Sequence, residues 1–112
     1  MGTLSADTAL VEERMDQLIQ ALVHNFNRRE MNKYGSINYE VTRGAKYYKM
    51  SLIDTNGGRS VHAFINRQTG AIYKPASWKA PAKHARYNLL DDVSFSDCLK
   101  RADWAGCYLY LR

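Results

Sequence analysis

The sequence predicts an α+β domain: a long N-terminal helix packed on a four-stranded antiparallel meander, with short helices at the C-terminal end. Three observations predict it. Apolar residues recur at helical spacing over residues 8–32. The period drops to two over residues 36–75. An Asn-Gly pair, Asn56-Gly57, separates two alternating runs, which is a strong hairpin signal.

The chain has 112 residues and a mass of 12.8 kDa, the size of one domain. Residues 1–7 are expected to be disordered. Hydrophobic residues are 46% and charged residues 24%, so the composition excludes a disordered chain. No apolar run approaches the roughly 20 residues of a membrane span. Met1–Asp7 lacks the basic start and apolar centre of a secretion signal. A cytoplasmic protein is expected.

In the helix, Val11, Met15, Leu18, Leu22 and Phe26 make one stripe, which Ile19 and Val23 widen. Ser5, Asp7 or Thr8 caps its start, and Glu12, Glu13 and Asp16 complement the positive end of the dipole. Arg28, Arg29 and Lys33 suit the other end, and Tyr34-Gly35 stops it. About 25 helical residues reach close to 40 Å. A compact domain of this size spans only about 35 Å. The stripe is therefore expected to reach a second subunit and make a homo-oligomer. The competing reading is a shorter or bent helix lying wholly on its own sheet.

Four alternating segments follow. Ile37, Tyr39 and Val41 share one face of the first, Tyr48, Met50 and Leu52 of the second, and Val61, Ala63 and Ile65 of the third. Ala71–Lys74 is the fourth strand. Arg43-Gly44, Thr55-Asn56-Gly57-Gly58 and Gln68-Thr69-Gly70 are the turns between them. Residues 75–92 read as irregular, with a helix over Ala82–Leu90. Ser94 or Ser96 caps a last helix ending near Trp104, and Tyr108–Leu111 offers a final strand.

The net charge of +5 is concentrated. Residues 36–90 hold 9 Lys and Arg against 2 Asp and Glu. Such a field favours phosphates, nucleic acid or an acidic protein face. Cys98 and Cys107 read as small, reduced core residues, since no secretion signal accompanies them. His24, His62 and His84 form no spaced ligand pair, so no metal site is expected. There is no phosphate loop, dinucleotide fingerprint or nucleophile elbow. Asp91-Asp92 is explained by helix capping; His62 and His84 could in principle do acid–base work on a phosphodiester, but no orienting partner is assigned to either, so no enzyme is expected and no cofactor.

The informative stretch runs from Tyr73 to Arg86. Pro75 and Pro81 stiffen it and argue against helix or sheet there. It presents Trp78, Ser77, Lys74, Lys79, Lys83 and Arg86. Were Ala82–Leu90 helical, Lys79, Lys83 and Arg86 would gather near a helix N-terminus, which suits a phosphate. Trp78 or Phe64 would stack on a base, and Ser77 or Asn88 would bond sugar or base. The bland alternative buries Trp78 under the loop and leaves the lysines merely solvated. Tyr39, Tyr47, Tyr48 and Tyr73 on the sheet add a second platform for bases, or ordinary cross-strand packing.

The run Thr69-Gly70-Ala71-Ile72-Tyr73-Lys74-Pro75-Ala76-Ser77-Trp78-Lys79-Ala80-Pro81-Ala82-Lys83-His84-Ala85-Arg86, with Phe64-Ile65-Asn66 before it, resembles one found in small accessory proteins of tailed bacteriophages. In size and build the chain is similar to the Thoeris anti-defence one family, whose members sequester a cyclic ADP-ribose signal without cleaving it. None of that family's ligand residues is carried onto this chain. The resemblance implies a phage protein in the host bacterial cytoplasm that sequesters a phosphorylated small molecule, a cyclic nucleotide immune signal above all. The alternatives are a basic phage nucleic-acid-binding protein and an inhibitor docking on an acidic host protein.

Overall fold

The computed structural model describes residues 6–29, 33 and 35–110. In chain order these form α1 (Ala6–Arg28), β1 (Ile37–Arg43), β2 (Tyr47–Asp54), β3 (Arg59–Asn66), β4 (Ala71–Pro75), β5 (Pro81–Asn88), α2 (Asp92–Arg101) and a 3-10 turn at Cys107–Leu109. The fold is α+β. Of the N-terminal stretch expected to be disordered, residues 1–5 lie outside the described ones, while Ala6 and Asp7 already belong to α1. The expected stop at Tyr34 also lies outside them, and α1 closes at Arg28.

The sheet is a single antiparallel meander of five strands in sequence order, one more than expected. The extra strand is β5, where a helix over Ala82–Leu90 was the expectation. Ala, Lys and Arg in that stretch favour a helix by propensity, but pairing with β4 overrides it. The prolines fit because Pro75 ends one strand and Pro81 opens the next, paired with each other beside the hairpin loop. β5 is an edge strand, where a missing N–H is tolerated.

Both helices and the C-terminal turn pack on one face of this sheet. Val11, Met15, Leu18 and Leu22 of α1 meet Tyr39, Tyr48, Met50, Ala63, Ile65 and Ile72, with Leu89, Cys98 and Leu109 closing the end. Full burial of such side chains is worth about 1.5–3 kcal/mol each. Arg14 ties the two helices together: it donates to the Leu89 carbonyl (2.8 Å) and pairs with Asp92 (2.8 Å).

Two bulges re-aim side chains toward this face. Opposite Met50 and Ser51, β3 carries one extra residue, His62. Opposite Ile72 and Tyr73, β5 carries Arg86. A bulge lets two successive residues point to one side. His62 and Ala63 thus both reach the α1 side, and Arg86 and Tyr87 both reach the C-terminal turn.

Turn chemistry follows the sequence closely. Asp54 Oδ1 accepts from the N–H groups of Asn56 and Gly58 (both 2.9 Å), and Gly57 takes a positive φ of 81°. The cap of α2 is Asp91, whose Oδ1 accepts from Val93 and Ser94, so neither Ser94 nor Ser96 has that role. Ser94 Oγ accepts instead from the Asn88 N–H. The last helix ends at Arg101, short of Trp104. The expected strand Tyr108–Leu111 is replaced by the 3-10 turn, and Leu111 lies outside the described residues. Cys98 is buried as expected and Cys107 is exposed; both thiols are free. No described helix is long and apolar enough to cross a membrane.

Candidate functional site

Alternation along β2 sends Tyr48, Met50 and Leu52 to the helices and Tyr47, Lys49 and Ser51 to the opposite face. Neither helix packs there. Register carries the second face across the sheet: Lys49 pairs with Phe64, Phe64 with Tyr73, and Tyr73 with Ala85. Tyr47 meets Phe64 edge-on at 6.1 Å and Tyr73 at 5.9 Å. Edge-to-face pairs of this kind add about 0.5–1.5 kcal/mol beyond burial.

The β4–β5 loop, residues 76–80, folds back over this cluster. Ala76 and Ser77 both donate N–H bonds to the Ala80 carbonyl (2.9 and 3.2 Å), which tightens it. Ser77 Oγ accepts from the Lys79 N–H (3.3 Å). Trp78 then lies against Lys49, whose Nζ stands 3.7 Å from the ring centroid. The indole stays 48% exposed, so the loop does not bury it. Lys46 Nζ lies 5.4 Å from the Tyr47 ring. The result is a platform of rings flanked by ammonium groups, with Lys79 and Lys83 exposed beside it.

The eight residues picked from sequence divide between the two sides of the sheet. Phe64 and Trp78 belong to the platform, and Ser77, Lys79 and Lys83 to the adjoining hairpin. Phe64 is only 4% exposed and is the floor under Tyr47 and Tyr73, not a free ring. Lys74 lies on the other face, 4.6 Å from the Tyr110 ring. Arg86 donates from Nε to the Leu109 carbonyl (2.7 Å) and from Nη1 to the His84 carbonyl. Asn88 sits at the far end of β5, where its Oδ1 accepts from the Leu90 N–H (2.7 Å). Lys83 and Arg86 therefore do not share a helical face, and no helix starts in their segment, because it is strand.

Tyr39 and Tyr48 also face the helices. Tyr39 donates to the Trp104 carbonyl (3.3 Å), and Tyr48 bonds to Glu12. Both phenols are pushed up, first by burial. Lys49 is the platform residue that sequence inspection passed over. Its signal was present: it shares the period-two face of Tyr47.

His62 is buried beside Tyr39 and Tyr108, and Nε2 lies 2.8 Å from the Tyr108 hydroxyl. Burial holds its pKa down at about 4, against an opposing pull from Asp103. It is a neutral hydrogen-bonding group near pH 7. His84 is exposed on β5. Among the described residues, no three His, Cys, Asp or Glu side chains converge to hold a metal ion.

Comparison with known proteins places the chain in a class defined by sequence. Residues 3–111 match a family of unknown function, DUF7717, and the chain belongs to that family. No curated protein and no solved structure matches it.

Proposed function

We propose that this protein is a binding protein for a phosphorylated nucleotide ligand, which it holds on the platform without cleaving it. The observation that carries this is the Lys49 ammonium on the face of half-exposed Trp78, beside the Tyr47–Phe64–Tyr73 cluster, on the sheet face the helices leave uncovered. A base stacks on an aromatic face, and ammonium groups take the phosphate. Lys49, Lys79 and Lys83 are the phosphate-binding cations in this reading, and Trp78 the stacking ring. Lysines hold a ligand by charge and rings by stacking, and binding is the role proposed for them. Sequestration of a cyclic nucleotide signal in a phage-infected cell is the specific role proposed.

A second reading is favoured by the platform's being an outer sheet face: a single strand of nucleic acid lying across it. The two separate by salt. Binding of a strand falls linearly in log–log with salt by about 0.7 per phosphate neutralised. A single small nucleotide gives a much shallower slope.

The test is a thermal-shift and tryptophan-quenching titration with cyclic mono- and dinucleotides, cyclic ADP-ribose isomers and a short single-stranded DNA, at two salt concentrations. A bound ligand at about 100 times its Kd adds roughly 2.7 kcal/mol, several degrees for a domain of this size. Trp78→Ala is expected to weaken binding by about 1–3 kcal/mol. Because the indole is half exposed, the variant's own melting temperature should stay close to that of the parent. Silence across the panel, or binding unchanged in Trp78→Ala, rejects the platform as the site.

A further inference from the structure

On the α1 side of the sheet, β2, β3, β4 and residues 104–110 line a partly open pocket of about 80 Å³. One water needs only about 10–15 Å³ by this measure, so the space takes a solute of several heavy atoms. Its lining includes the polar side chains of Ser60, His62, Lys74, Trp104 and Tyr110, and among the described residues no carboxylate lines it. The acid nearest in the chain, Asp103, is turned to backbone: its oxygens accept from Cys107 (3.2 Å) and Tyr108 (3.0 Å). Lys74 has no carboxylate partner among the described residues and rests only against the Tyr110 ring.

His62 adds a directed group. Its side chain is more than nine-tenths buried, Nε2 is taken by Tyr108, and the ring has no second hydrogen-bond partner among the described residues. Nδ1 is the ring nitrogen left for a ligand; in the tautomer whose Nε2 accepts from the Tyr108 hydroxyl, a neutral ring carries its proton on Nδ1. Gly106 leaves that edge uncovered: a Cβ there would stand 3.7 Å from Nδ1, and the backbone holds φ at +88°. A pocket whose described lining holds a lysine and further donors but no carboxylate suits an anion.

We propose that this pocket binds a small tetrahedral oxyanion, with inorganic phosphate or the phosphoryl end of a larger molecule as the two sources. Lys74 supplies the charge, and Ser60 Oγ and His62 Nδ1 supply directed hydrogen bonds. The site lies across the sheet from Trp78 and does not rest on the function proposed above.

The experiment is a titration of the full chain with inorganic phosphate at constant ionic strength, followed by amide and indole NMR. Chloride is the control, and a nucleoside monophosphate is the second arm. Saturable shifts at the Trp104 indole and the Gly106 amide, with Trp78 unmoved, are expected. Lys74→Met should weaken binding at least tenfold, whereas Lys100→Met, at an exposed lysine of α2, should leave it unchanged. If the monophosphate shifts the same signals more strongly than phosphate, the source is a phosphoryl group on a larger ligand. Shifts linear in phosphate, or kept in full in Lys74→Met, or lost equally in Lys100→Met, overturn the proposal. Loss of nucleotide or DNA binding at Trp78 would leave these signals untouched, so the two sites fail separately.

Discussion

Burial lowers the His62 pKa from 6.5 to about 4, and that displacement is a statement about stability. Below pH 6.5 the unfolded chain takes up a proton that the folded imidazole refuses. Stability is therefore full above pH 6.5, falls as the pH drops toward 4, and loses nothing further from this group below that. A shift of this size corresponds to about 3 kcal/mol at its limit. Denaturant midpoints between pH 7 and pH 4 should fall more steeply for the parent than for His62→Asn. Parallel pH profiles would show that His62 contributes none of the acid sensitivity. Nothing in the sequence near His62 announces this. One extra residue in β3 turns it inward, and its partner Tyr108 lies 46 positions away. Lys49 and Trp78 met for a similar reason: each was readable alone, but only the folded hairpin puts the ammonium on the ring.

Elements whose signal is local were legible. The α1 stripe needs only a 3.6-residue period, and all five of its principal apolar residues are buried. The Asp54–Gly58 turn needs only short-range hydrogen bonds. β5 failed that test because Pro81–Asn88 has no clean alternation and two register shifts against β4. Its strand character comes from the neighbour that pairs with it. The Asp91 cap is local again, since its carboxylate bonds N–H groups two and three residues on. Asp91→Ala should cost about 1 kcal/mol, seen as a melting temperature lower by a few degrees. An unchanged melting temperature would mean that α2 is held by Phe95 and Cys98 packing alone.

At the scale of the molecule, α1 runs 23 residues, about 34 Å, along a body whose longest extent is 45 Å. The helix is shorter than the body, so its length does not itself call for a second subunit. Its stripe is spent on its own sheet. A surface available for a homo-oligomer through α1 is the flank where half-buried Ile19 shares a groove with Val41 of β1. Sedimentation velocity decides whether a second copy uses it. A dimer that Ile19→Glu dissociates, without loss of helical signal, would place the interface there; a monomer at all concentrations removes the oligomer. The basic charge of residues 36–90 is likewise divided by the fold. Arg59 pairs with Glu40, Arg67 donates to the Gly44 and Ala45 carbonyls, and Arg86 holds the C-terminal turn.

The α+β class, the long helix, the first four strands and their turns were set by the sequence alone. Period and turn chemistry act between near neighbours, and near neighbours are what a sequence displays. Which face of the sheet stayed open, whether Pro81–Asn88 became strand, and which cations remained free were decided by the tertiary structure. Those outcomes depend on strand pairing and bulges that join residues far apart in the chain. Lys74 and Trp78 are four positions apart, yet the sheet puts them on opposite sides.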